Sequence, residues 1–221
     1  MKKFLRIFSV PLLLFSLLAS SLYFTKNARS QTVLTLLISE AQIAGAGTGN
    51  SGLDFIEIYN PTGSSVDISG WRLKKRTKTG SESSINVFDS GAIIPAYGFF
   101  LWANSKDGFA DLIYADEKST ASIAANNSIA FIDNDGNLID AVAWGVDLED
   151  AFHEGIFLSV ELEANQSFER KTWDNGCFKA EGERETDGNG CDTDDNSYDF
   201  ELRKNSNPQN SGSKKEPQRN Q

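Results

Sequence analysis

Residues 54 to 73 read D-F-I-E-I-Y-N-P-T-G-S-S-V-D-I-S-G-W-R-L, and this stretch constrains the fold most. An apolar run (Phe55, Ile56, Ile58, Tyr59) enters a turn built on Asn60-Pro61-Thr62-Gly63. A second apolar set, Val66, Ile68, Trp71 and Leu73, follows. A strand, a proline-bearing turn and a returning strand with a large aromatic is how an antiparallel β-sandwich begins. Trp71, just after Gly70, is expected in the core between the two sheets.

The rest of the chain agrees. Val33 to Ile43 is an apolar strand that runs into the glycine-rich connection Gly45-Ala46-Gly47-Thr48-Gly49. Short strands are expected at 70–76, 84–88 and 99–103. The clearest hairpin runs up through residues 128–133, turns at Asn134-Asp135-Gly136-Asn137 and returns to Trp144, because Asp-Gly between alternating apolar runs is a strong hairpin signal. No amphipathic helix of ten residues follows residue 30, so the expected class is all-β.

The N-terminus places the chain outside the cytoplasm. Lys2, Lys3 and Arg6 precede an apolar stretch from Ile7 to Phe24, with Ala28-Arg29-Ser30 before Gln31 as a cleavage site. That is the layout of a secretory signal over residues 1–30. An uncleaved anchor is the rival, since about 18 apolar residues just span a bilayer, though Pro11 and four serines weaken it. Membrane attachment is expected only if the leader stays on. Taking its five cations from the chain's 21 leaves 16 against 31 acids, a net charge near −15. A field of that sign repels phosphate backbones, so nucleic acid is not an expected partner. An unidentified protein or a cell-surface polymer is.

Several separated segments, in order and spacing, resemble the lamin tail domain family. They are the Asp54–Leu73 stretch, I-I-P-A-Y-G-F-F-L-W-A from Ile93, N-N-S-I-A-F-I-D-N-D-G-N-L-I-D-A-V-A-W-G from Asn126, Q-S-F-E-R-K from Gln166 and D-F-E-L-R-K-N-S-N-P-Q-N from Asp199. The resemblance implies an immunoglobulin-like sandwich with a non-catalytic role. In bacteria such domains also accompany extracellular hydrolases, so an accessory, carbohydrate-directed module is the alternative function. The division that follows is a sandwich over 31–172, an acidic Gly/Asp-rich insertion over 173–199, a closing strand at 200–204 and a disordered polar tail over 205–221.

Candidate chemistry is sparse. The single histidine, His153, has no nucleophile elbow near it, and one His with two Cys does not furnish a zinc set. The Gly45–Gly49 run lacks the lysine of a phosphate loop, and a carboxylate pair for glycoside hydrolysis cannot be read from spacing. The chain is therefore expected not to be an enzyme. Cys177 and Cys191, alone in an exported chain, are expected to form a disulfide. Arg72, Lys74 and Arg76 share one strand face, read either as a solvated edge or as a docking patch for an anionic polymer. In the acidic cluster of Asp187, Asp192, Asp194, Asp195 and Asn196, the oxygen ligands alternating at Asp192, Asp194 and Asn196 resemble the opening of a calcium loop, but Ser197 stands in place of its glycine and Arg203 in place of its twelfth-position Glu. A weak calcium site is expected there, with a solvated acidic loop as the alternative, and no other cofactor.

Overall fold

The computed structural model describes residues 35–44 and 51–219. The leader over 1–30, the start of the first strand and the glycine-rich connection lie outside the described residues. Among the described residues no helix is long and apolar enough to cross a membrane.

Among the described residues fourteen strands follow in chain order: β1 (Leu37–Ala44), β2 (Ser51–Tyr59), β3 (Val66–Asp67), β4 (Arg72–Arg76), β5 (Glu82–Val87), β6 (Ile93–Ile94), β7 (Phe99–Asn104), β8 (Glu117–Ser119), β9 (Ser128–Ile132), β10 (Leu138–Ala143), β11 (Ser167–Arg170), β12 (Thr172–Trp173), β13 (Cys177–Phe178) and β14 (Phe200–Arg203). Two single-turn α-helices, α1 (Phe109–Leu112) and α2 (Asn196–Asp199), and a 3-10 turn at Lys106–Gly108 interrupt them. A six-stranded sheet of order β14-β11-β1-β2-β7-β8 packs on a four-stranded sheet of order β10-β9-β4-β5. Every pairing is antiparallel except β7 with β8, which run parallel.

Alternation decides the faces. In β2, Ile56 and Ile58 point inward; on β7, Phe100 and Trp102 do the same, and all four join one core with Leu73, Ile129, Phe131 and Val142 of the other sheet. Burying each such side chain fully stabilises by about 1.5–3 kcal/mol. Phe88 links the layers edge-on to Phe100 and Phe131, at 5.5 and 5.9 Å between ring centres. Trp71 differs from expectation. It stacks on Phe131 at 5.2 Å but stays half-buried at the core's margin. The fully buried tryptophans are Trp102, within β7, and Trp144, just past the end of β10.

The β9–β10 hairpin forms where the sequence places it. Asp133 Oδ1 accepts the N–H groups of Asp135 and Asn137, and Gly136 supplies φ +87°.

The outer face of the six-stranded sheet is covered too. Phe55, Leu101 and Ala103 form a second apolar cluster with Ala110 of α1. Tyr59 and Phe99 meet at 5.1 Å, and the segment 205–219 is laid over them. Tyr59 Oη donates to Glu216 O at 2.6 Å, Glu216 N donates to Tyr97 O, and Ser211 bonds Asp116 through N and Oγ. The expected disordered tail is therefore an ordered strap. Its polarity misled the reading, because its bonds go to buried polar groups of the sheet rather than to water. Gly188 belongs to this packing. A Cβ there would lie 1.9 Å from Tyr59 Oη and 2.3 Å from Glu216 O, so only glycine fits.

Candidate functional site

At the sandwich edge where β10 faces β11, the alternation that sends Phe168 inward also sends Arg170 inward. Arg170 is fully buried and sits over the Phe200 ring at 4.5 Å. Its Nη2 donates to both oxygens of Asp140, at 2.9 and 2.7 Å, Nε donates to Ile38 O and Nη1 to Cys191 O. Asp140 also accepts Ile38 N. One guanidinium thus joins β10, β1 and the cysteine-bearing segment. Such a charge-assisted, two-pronged contact is among the stronger hydrogen-bonded arrangements.

Three further carboxylates crowd this cation. Asp192 Oδ1 and Asp199 Oδ2 lie 3.7 and 3.6 Å from Arg170 Nη1. Glu154, Asp192 and Asp199 each bring an oxygen within 4.8 Å of the others. Burial pushes the Asp140 carboxyl up to about 6 in spite of Arg170. Burial, and then the Asp140 charge, push Glu154 up to about 9. Asp199 is held by Thr193, which donates to it from N at 3.0 Å and from Oγ1 at 2.7 Å.

The five residues expected around calcium do not converge. Asp187 pairs with Arg184 and Arg219. Asp195 caps α2, accepting from Ser197 N and Oγ. Asn196 is buried away from solvent, donating to Ala141 O at 2.9 Å and accepting from Ala143 N. Asp194 takes a left-handed turn conformation, φ +58°. Only Asp192 joins a carboxylate group, and there Arg170 supplies the positive charge that a divalent ion would bring. Alternation in sequence is not alternation in space once a cap and a buried amide intervene.

Cys177 and Cys191 are joined as a disulfide, Cα–Cα 5.3 Å. Cys191 is fully buried beneath Arg170, whose Nη1 it binds through its carbonyl. His153 turns into its own loop, Nδ1 lying 3.0 Å from Gly155 O.

The cationic strand is β4, which lies inside the four-stranded sheet rather than at its edge. Lys74 pairs with Glu82 at 2.7 Å, and Arg76 pairs with Glu82 and with Asp150 at 2.8 Å while lying over Phe152. Two of the three cations are thus matched by acids of this chain, which removes the field an anionic polymer would seek. Arg72 remains exposed, without an ion pair among the described residues. It lies in a row running across all four strands: Val87, Arg72, Ile132 and Leu138 are register partners. Val87 and Leu138 are 50% and 53% exposed. Sequence reading missed Leu138 and Val87, which look like ordinary strand residues until the register sets them beside each other. It also missed Arg170, although its spacing two residues after Phe168 was a signal that it faces inward.

The profile of the Lamin Tail Domain family matches residues 29–146 of this chain. No curated protein matches it.

Proposed function

The chain belongs to the lamin tail domain family, a family of immunoglobulin-like, non-catalytic domains, and we propose that it acts as an exported binding or scaffolding module at the cell surface, docking a protein partner on the outer face of its four-stranded sheet. The Val87–Arg72–Ile132–Leu138 row carries this reading. An apolar strip exposed on a sheet face and centred on a guanidinium has the chemistry of a protein contact, in which Arg and apolar anchors dominate. The internal pairing of Lys74 and Arg76 favours a protein over an anionic polymer. His153, the one imidazole, is engaged by its own loop, which supports a non-catalytic role.

Cross-linking in the envelope fraction of the producing cell tests it, comparing wild type with Arg72→Glu and Leu138→Asp. Both are surface changes expected to alter stability by only about 0.5 kcal/mol, so loss of the cross-linked species with an unchanged melt supports the docking face. Equal cross-linking by all three proteins removes it. Intact mass of the exported protein reports whether residues 1–30 are absent.

A further inference from the structure

Four neighbouring strands of the six-stranded sheet each place one glutamate in a single row on the outer face. Glu201 of β14 pairs with Glu169 of β11, Glu169 with Glu40 of β1, and Glu40 with Glu57 of β2. All four are buried. Directly opposed side chains in a sheet sit roughly 5 Å apart at Cβ, where like charges destabilise the pairing.

Positive charge near the row is scarce and lies at one end. Arg203 Nη1 reaches Glu169 Oε2 at 2.6 Å, while its Nη2 is taken by Glu185. Lys179 Nζ stands 3.7 Å from Glu201 Oε2. Neither Glu40 nor Glu57 has an ion pair among the described residues. Their partners are neutral: Ser167 Oγ donates to Glu40 Oε1 and Ser39 Oγ to Glu57 Oε1, each at 2.5 Å.

The strap closes over the Glu40–Glu57 end of this row and donates to it, whereas Glu201 Oε1 accepts Ala180 N at 2.6 Å. Asn207 N reaches Glu40 Oε1 at 3.1 Å, and Gln209 N reaches Glu57 Oε2 at 2.6 Å. The strap adds a carboxyl of its own, the buried Glu216, held by the Gln209 side chain at 2.9 Å. Its exposed Lys214 and Lys215 make no ion pair with the row among the described residues, and Arg219 is spent on Asp187. Tyr59 and Tyr97 meet the strap from the sheet side, Tyr59 Oη donating to Glu216 O and the Tyr97 carbonyl accepting Glu216 N.

We propose that residues 205–219 form a proton-held latch, closed over Glu40 and Glu57 while that pair is largely uncharged, and lifted when the pair ionises so that Tyr59, Phe99 and the two carboxyls face solvent. Two directly opposed carboxylates that make no ion pair among the described residues cannot both be charged under a cover that keeps out water. Admitting water by lifting the strap breaks a few bonds, whereas separating the strands would break the ladder. Burial, followed by the charge of Glu169, pushes Glu40 up to about 8. Burial and then the Glu40 charge hold Glu57 well above the usual carboxylate range. Burial raises Glu169 to about 7 against the pull of Arg203, and raises Glu216 to about 7. Groups raised in the closed form favour closure at lower pH and lose that contribution as pH rises through the raised values. The latch therefore opens on the alkaline side.

Hydrogen exchange of the full chain, read by mass spectrometry for peptides of 205–219 relative to β7, tests it. Relative protection of the strap should fall by about tenfold or more between about pH 6 and pH 9. The Glu40→Gln/Glu57→Gln protein, which keeps the shape and removes the charge, should hold the strap closed across that range. A wild-type strap as protected at the high pH as at the low one overturns the latch, and so does a double variant that opens as wild type does. If the double variant does not fold, the wild-type series decides alone.

Discussion

Arg170 and Asp140 bind one another through two hydrogen bonds at 2.9 and 2.7 Å, each residue almost wholly removed from water and each on a different sheet. The pair fastens β10 to β11 where the apolar core runs out. Its value lies in what its loss would leave behind. Truncating one partner of a buried pair strands the other charge, at a cost of about 3–5 kcal/mol.

Arg170→Met should therefore destabilise the protein by that order in urea unfolding, and Asp140→Asn by less, because the amide keeps part of the Ile38 N–H bond. Combining Arg170→Met with Asp140→Leu should recover stability relative to Arg170→Met alone. A double variant no more stable than the single one would show that the pair itself, rather than the stranded charge, sets the loss.

The disulfide closes a loop with a sequence separation of 14, which in the chain-entropy model stabilises by about 3 kcal/mol. Native protein should yield no thiol to alkylation. Unfolding in reductant should expose two and raise the intact mass by about 2 Da, one hydrogen per sulfur.

Calcium should do little. With Asp187, Asp195 and Asn196 drawn to other partners and Arg170 beside Asp192, about 5 mM calcium, ample for a weak extracellular site, should leave the melting temperature unchanged. A rise specific to calcium over magnesium would contradict this.

Stability should fall as pH rises. Glu40, Glu154, Glu169 and Asp54 are held at about 8, 9, 7 and 7, all through burial first and all above their unfolded values. The folded state then binds more protons than the unfolded one between about pH 4.5 and 9, so unfolding free energy declines across that window. Below it, the lowered carboxyls of Asp67, Asp133 and Asp195, held down chiefly by side-chain hydrogen bonds, lose their contribution as they protonate. Calorimetric melts should peak near pH 5, and a maximum near pH 8 would refute the sign.

Local signals were legible and long-range ones were not. The Asn134–Asn137 turn is written in four consecutive residues, and the structure forms it from Asp133 and Gly136 as expected. The alternation of Ile56 and Ile58 fixed the inner face in the same way. The strap was misread because its partners, Glu40 and Glu57, lie more than 150 positions away. A clue was present: Phe55 and Tyr59 flank Glu57 on one face while Ile56 and Ile58 fill the other, a pattern that asks for cover on both sides. The acidic loop failed for the opposite reason. Its spacing suggested one shared ion, but caps and buried amides claim its members one at a time.

The pairing of β1 separates the unit of recognition from the unit of folding. The family match ends at Val146, yet β1 is flanked on one side by β11, and β11 by β14, both from later in the chain. A fragment cut at that boundary would leave β1 with a bare hydrogen-bonding edge, Trp144 without the Phe168 ring at 5.1 Å, and Glu40 uncovered. An open edge of that kind recruits other chains. A well-folded piece of this chain must therefore keep its C-terminal third.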